Sequence, residues 1–447
     1  MTTGYTRAIL HRRLGFDYPH ITHGEGCYLV DEGGKRYLDA AGGAAVACLG
    51  HGLSDAAEVV ARTVRQFSYL HGSQFTTREL ESYAENLIAV APAGIAHVFF
   101  VCSGSEATET AVKLAYQHHQ CLGHAGKRKV VYTNPGYHGS TLFAMSVTGK
   151  RSSQQKFAGL VTPSPEIPAP VCLRCPFRLT PDACRLECAA ALEEAILREG
   201  PDTVLAFIVE PVLGASVGVC IPPARYLERV RAICRKHDVS LIFDEIMCGY
   251  GRTGKWFASE WWGVTPDIMT AGKGMGAGLV PLSGVFCTAE VLEVIRGRSG
   301  DFAHGFTFAN NAMAAPVAQF VLDYMKRHAL LSRVQEVGGY LMDRLHETLD
   351  GDEHVGEIRG LGLIIGCEVV RARQGQVPFE RERAAAERIV QEAMKRGVNL
   401  YFSTAHADGV RGDAIVIAPP YILTEPEADT IVAVFAESLR AVTSGLE

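Results

Sequence analysis

No run of about 18 apolar residues occurs in this chain of 447, which excludes a membrane-spanning helix as its organising element. Strong charge of either sign is missing too. Lys and Arg number 43 against 49 Asp and Glu, a net charge of −6, so composition gives no reason to expect nucleic acid or an anionic membrane as a partner. Met1 to Leu14 contains basic residues but no apolar stretch followed by a small-residue cleavage site. A soluble, intracellular, cytoplasmic protein is the expectation. Internal repeats and low-complexity linkers are absent as well.

What remains is ordinary globular material, 47% hydrophobic and 21% charged. The length suffices for one large domain plus a smaller one. Thirteen cysteines are scattered through it, and without a secretory signal most read as reduced, small buried hydrophobes. One group is denser: Cys172, Cys175, Cys184 and Cys188 fall within 17 residues. Their spacing leaves a structural metal, redox disulfides and ordinary thiols all open.

Hydrophobic patterning gives the organisation. Short apolar runs about a Gly33-Gly34 turn predict a hairpin near the N-terminus, and helical spacing begins near Ser54. His97 to Val101 reads as a strand that runs into Cys102-Ser103-Gly104-Ser105-Glu106, where a helix starts; Ser103 and Glu106 have capping-box spacing. A strand entering small residues at a helix N-terminus leaves amides free for an anion, although a plain capped helix has the same sequence. Lys129 to Tyr132 is the next strand, followed by the loop Asn134 to Thr141. Tyr137 and His138 in that loop either cover a flat ligand or finish a turn.

Leu205 to Val209, ending in Glu210, and Val239 to Phe243, ending in Asp244, flank a helix over 225–237. This alternation predicts a mostly parallel sheet covered by helices, with ligands at the strand C-termini. Pro266 to Met269 reads as a further strand, leading to Lys273. Helix, strands, helix and final helix over 334–350, 356–370, 381–396 and 425–442 predict a smaller α+β unit. The expected division is 1–60 as the N-terminal part of the small domain, 61–325 as a large cofactor domain, and 326–447 as the C-terminal part of the small domain.

Lys273 lies among small residues, in Thr270-Ala271-Gly272-Lys273-Gly274-Met275-Gly276. Desolvation there lowers a lysine pKa, and a neutral amine attacks an aldehyde to form a Schiff base. A solvated turn lysine is the other reading of the stretch alone. A dinucleotide-binding G-x-G-x-x-A match at Gly272 to Ala277 fails because no helix pattern follows, and a P-loop needs glycine where Asp267 stands.

Ser103-Gly104-Ser105-Glu106-Ala107, Tyr137-His138-Gly139-Ser140-Thr141, Glu210-Pro211, Asp244-Glu245 with Gly249 to Gly254, the Lys273 segment and His304-Gly305-Phe306-Thr307-Phe308 together resemble the class III aminotransferases. These are pyridoxal-phosphate (PLP) enzymes of fold type I, and the resemblance runs from about residue 20 to 440. It implies that Lys273 holds the cofactor as a Schiff base and moves a proton between substrate and cofactor. It further implies that Asp244 pairs with the pyridinium nitrogen, keeping the ring an electron sink. Tyr137 stacks on one face and Ile246 on the other, Gly104 and Ser105 hold the phosphate, and His138 and Gly139 complete the cofactor contacts. Glu210 orients neighbouring groups. Thr307 reaches the phosphate of a neighbouring subunit in a homodimer with shared sites.

Departures from the common family pattern narrow the substrate. Ala309-Asn310-Asn311-Ala312 replaces a Gly-His-Pro type stretch. Val416 stands before Ile417-Ala418-Pro419-Pro420 where α-amino-acid enzymes often place a carboxylate-binding arginine. Met247 replaces a glutamine, and Ala44 replaces a bulky aromatic, leaving a roomier pocket. The chain is thus similar to amine:pyruvate (ω-) transaminases. The resemblance implies transfer from a primary amine or ω-amino acid to a keto acid such as pyruvate, by ping-pong half-reactions through pyridoxamine phosphate. Racemase, epimerase, aminomutase and decarboxylating transaminase chemistry share Lys273 and Asp244, and a non-catalytic member of the fold is a further alternative. With Val416 unable to bind a carboxylate, Arg411 is the expected movable clamp for the keto acid, set against its being a surface arginine. No metal is assigned to the catalytic site.

Overall fold

The structure, a computed structural model, describes residues 8–150 and 154–446. Three short strands come first: β1 (Ile21–Glu25), β2 (Tyr28–Asp31) and β3 (Arg36–Asp39). β2 and β3 form the hairpin about Gly33-Gly34 that the sequence predicts.

Seven strands then build the central sheet. They are β4 (Ile95–Val101), β5 (Lys129–Asn134), β6 (Glu166–Pro168), β7 (Val204–Val209), β8 (Ser240–Glu245), β9 (Ile268–Ala271) and β10 (Ser283–Thr288). Their order is β4-β10-β9-β8-β7-β5-β6. Only β10 runs against its neighbours; the pairings β9-β8, β8-β7, β7-β5 and β5-β6 are parallel.

β7 and β8 are buried along their whole length, as helices on both faces require. Alternate side chains feed two layers. Ile208, Ile242 and Ile268 pack with Ala107, Ala111 and Leu114 of the helix Gly104–Cys121. Phe207, Leu241 and Phe243 pack with Tyr226, Leu227 and Val230 of the helix Tyr226–Lys236. Each such side chain, fully removed from water, contributes roughly 1.5–3 kcal/mol.

The C-terminal part carries β11 (Val355–Gly360), β12 (Ile365–Val369), β13 (Val398–Asn399), β14 (Tyr401–Thr404) and β15 (Asp413–Ile417). Four of these make an antiparallel sheet, β11-β12-β15-β14. β13 instead leaves it and pairs in parallel with β3, joining the two ends of the chain in one sheet. Helices Leu330–Leu349, Ala385–Lys395 and Glu425–Thr443 pack in the core beside them.

Boundaries differ from the sequence reading where tertiary pairing decides them. β9 lies two residues later than expected, since its register is fixed by β8 (Ile242 against Ile268, Glu245 against Ala271) and Pro266 has no amide to pair. The helix expected from 381 starts at Ala385, because Ala384 takes a left-handed conformation that closes a 3₁₀ turn.

At the sheet edge opposite the strand C-termini, buried His119 closes the helix end. Its Nδ1 lies 3.2 Å from His124 Nδ1 and its Nε2 3.0 Å from Ser240 Oγ at the start of β8. Burial pushes the His119 pKa down to about 4.

Candidate active site

Five strands of the central sheet deliver residues at or just beyond their C-terminal ends to one edge. Gly104 follows β4, Tyr137 to Gly139 follow β5, Glu210 follows β7, Asp244 sits in β8 and Lys273 follows β9. All of them line a single cavity of about 500 Å³.

The anion end is built first. Ser103 caps the helix Gly104–Cys121 with a complete capping box: its Oγ accepts from the Glu106 amide, and Glu106 Oε2 accepts from the amides of Cys102 (2.7 Å) and Ser103 (3.1 Å). The amides of Gly104 and Ser105 are first-turn donors with no intrahelical acceptor. Ser105 Oγ accepts from the Ser140 amide at 2.9 Å, leaving its own proton to donate. Side chains are kept out of this corner. A Cβ at Gly139 (φ +135) would lie 2.6 Å from Ser105 Oγ and 2.9 Å from Ala144 Cβ, and one at Gly104 would lie 3.1 Å from Ile246.

Next to it is a flat slot with one buried carboxylate. Asp244 Oδ2 accepts from His138 Nδ1 at 2.7 Å, and Oδ1 accepts from the Ile246 amide (3.1 Å) and the Thr270 hydroxyl (3.2 Å). The His138 backbone is fixed at both ends, its amide on Thr148 Oγ1 (2.9 Å) and its carbonyl on Thr108 Oγ1 (2.6 Å). A carboxylate held this way is placed to accept a hydrogen bond from a ring nitrogen. Tyr137 and Ile246 line the same slot.

Lys273 stands in the left-handed region (φ +45), between Gly272 and Gly274, with its exposed part towards the cavity it lines. Burial pushes its pKa down to about 8, against Glu210 and Asp244, which favour the ammonium. Glu210 is itself pushed up, by burial first and then by Asp244; the amides of Tyr137 and Gly214, each donating to it at 3.0 Å, oppose that shift. An aldehyde-reactive amine, an anion cradle and a carboxylate for a pyridinium face one cavity, and this donor set fits pyridoxal phosphate. Bound there, that group would supply an electron sink for a carbanion. Gly104 and Ser105 would hold its phosphate, Asp244 its ring nitrogen and Lys273 its carbonyl carbon.

The substrate end is less uniform. Ala44 lines the cavity as expected, beside Val46 and Met247. Arg411 does not line it. Its Nε donates to Asp408 at 2.8 Å and its Nη1 to Glu380 at 3.1 Å, so two carboxylates already hold it outside the site; the clamp expected there is not assembled. Val416 is fully buried in β15, packed with Val212, Val219 and Ile364. Thr307 is exposed and away from the cavity, its carbonyl accepting from Tyr69 OH at 2.8 Å. The arginine of the Gly249 to Gly254 motif is structural: Arg252 is buried, and its Nη1 donates to the carbonyls of Leu363 (3.0 Å) and Pro419 (2.6 Å).

Sequence reasoning missed Arg12, Lys150 and Tyr401, all of which line the cavity. None lies in a motif, and Tyr401 opens β14 in the C-terminal part, so only the fold brings them there. The four clustered cysteines do converge, on a separate small apolar cleft with Phe177 and Pro223. All four are free thiols. Among the described residues, the one trio with ligand atoms close enough for a metal is His119, His124 and Asp238, not a set of these sulfurs.

The family profile "Aminotransferase class-III" matches residues 16–439. An uncharacterized aminotransferase, YodT of Bacillus subtilis, is 35% identical over 439 residues, covering 98% of this chain and 99% of that protein. Gamma-aminobutyrate transaminase 1 of Oryza sativa subsp. indica is 33% identical, covering 94% of this chain and 81% of its own length. Among solved structures, the omega transaminase from Pseudomonas jessenii in complex with PMP superposes with a TM-score of 0.89 at 33% identity, over 96% of this chain and 93% of that one.

Proposed function

The chain belongs to the class III aminotransferases, and from that we propose that it takes its amino group from a primary amine or ω-amino acid and gives it to a keto acid such as pyruvate. It is a PLP-dependent transaminase of fold type I. The observation that carries the donor and acceptor reading is the pocket beyond the lysine. Ala44, Val46 and Met247 line it with small or uncharged groups, and the place where an α-amino-acid enzyme often carries an arginine is Val416, sealed in the core.

In this reading the work of the protein is holding and proton movement. Desolvated Lys273 is the base that takes a proton from the donor carbon and returns one across the slot. Asp244, held by His138 and Thr270, would face the ring nitrogen of the bound cofactor. Glu210 fixes the Tyr137 and Gly214 amides and so sets the loop that covers the ring. A homodimer completes the site: the exposed Thr307 segment, with Tyr69 and Phe308 in edge contact at 5.8 Å, reaches the phosphate of the other subunit. The thirteen cysteines, all unpaired, suit the reducing cytoplasm.

A visible absorption spectrum tests it. Adding a primary amine that lacks a carboxylate to the purified holoenzyme is expected to convert the lysine-bound cofactor band to that of pyridoxamine phosphate, and pyruvate to restore it. Conversion by carboxylated donors alone would overturn the donor assignment.

A further inference from the structure

An amine donor brings no carboxylate, but the acceptor does, and a carboxylate entering a desolvated cavity needs a cation. Among the described residues, Lys and Arg side chains line this cavity at three positions, 12, 150 and 273. Lys273 is committed to the cofactor. The cations elsewhere that motif reading would nominate are spoken for: Arg411 by Asp408 and Glu380, Arg252 by the carbonyls of Leu363 and Pro419.

Arg12 and Lys150 have no such employment among the described residues. The charged group acting on Lys150 is Arg12, another cation, and burial followed by this repulsion lowers the Lys150 pKa. Arg12 also acts on Tyr401, as does Tyr137, so these side chains surround one region of the cavity. Two like charges with no described anion between them are a poor arrangement for an empty site and a good one for a site that receives an anion. A carboxylate between them removes the repulsion and gains charge-assisted hydrogen bonds from both, and the guanidinium can take it with two parallel N–H donors. The walls nearby, Ala44, Val46 and Val280, carry no charge, so one carboxylate and a short apolar substituent is the ligand that fits.

We propose that Arg12 and Lys150 form the subsite that receives the carboxylate of the keto-acid acceptor, with Tyr401 beside them. This rests on the keto-acid reading above and names the residues that enforce it. They are binding groups and take no part in the proton transfers.

The test compares pyruvate with propanal, a neutral acceptor of equal carbon count, on amine-loaded holoenzyme of the wild type, Arg12→Gln, Arg12→Lys and Lys150→Met. Retention of the cofactor absorption band reports folding. The preference for pyruvate over propanal, as a ratio of kcat/KM, is expected to fall about 10- to 100-fold in Arg12→Gln and in Lys150→Met, chiefly through the KM for pyruvate. Arg12→Lys should recover part of it. An unchanged ratio in both variants, or a parallel loss on both acceptors, overturns the subsite. A wild-type enzyme that accepts propanal but no keto acid overturns instead the acceptor reading on which it rests.

Discussion

Raising the pH should switch Lys273 on near neutrality rather than near pH 10. Its pKa of about 8, set by burial, leaves about one amine in ten neutral at pH 7. A solvated lysine near 10.5 would leave about one in 3,000. The structure therefore predicts roughly 300-fold more reactive amine at pH 7 than exposure would give, equivalent to about 3.4 kcal/mol. The assay is the rate at which apoprotein captures pyridoxal phosphate, followed by absorbance from pH 6 to 10.5. The rate should climb tenfold per pH unit and bend over near 8. Asp244→Asn adds a second arm. Asp244 raises the Lys273 pKa, so its neutralisation should move the bend to lower pH and speed capture at pH 7. Turnover should nevertheless fall by about 100-fold or more, because the ring nitrogen loses its carboxylate. Capture that rises without a bend to pH 10, or a bend that moves up in Asp244→Asn, would refute the claim that burial and these carboxylates set the lysine.

Gly139→Ala should weaken cofactor retention at least tenfold by equilibrium dialysis, since its Cβ would press on Ser105 Oγ at 2.6 Å from a left-handed backbone. Glu368→Gln should cost about 3–5 kcal/mol in urea unfolding, as it removes the fully buried carboxylate shared by Arg174, Arg359 and His406, leaving, among the described residues, Arg359 with Glu357 alone and Arg174 with no carboxylate partner. His119→Asn should flatten the acid limb of the stability curve. Native His119 resists the proton that the unfolded chain accepts at about 6.5, so the wild type is at full stability above that pH and loses up to about 3 kcal/mol as the pH falls towards 4. Arg411→Ala should leave both the KM for pyruvate and the melting temperature of the holoenzyme as they are, because its partners lie on the surface.

The strand ends were legible because continuous apolar runs are hard to place anywhere but between two helix layers. Gly104, Glu210 and Asp244, each at the C-terminal end of such a run, then fall on one edge by topology alone. The capping box was legible for a similar reason, since both partners lie within one turn. β10 was not, because Ser283-Gly284 opens it and its place between β4 and β9 is a long-range choice. The resting place of Arg411 was not legible, because a cation in a glycine loop looks unattached in sequence, whereas one of its two carboxylates, Glu380, comes from 31 residues away. Arg12 and Lys150 give no local signal either, since a basic residue beside other basic residues in an irregular segment acquires meaning only from the groups it faces.

The pairing of β3 with β13 ties one wall of the cavity to a distant part of the chain. Asp39, at the end of β3, accepts from the amide of Gly43 at 2.9 Å and from Asn399 Nδ2 at 2.9 Å, a residue 360 positions later. The segment carrying Ala44 and Val46 into the cavity is therefore anchored by an aspartate that is held in turn by His51 nearby and by Asn399 from the C-terminal strands. A chain cut near residue 395 keeps every strand of the central sheet but loses Asn399, so the wall carrying Ala44 and Val46 should loosen while the sheet persists.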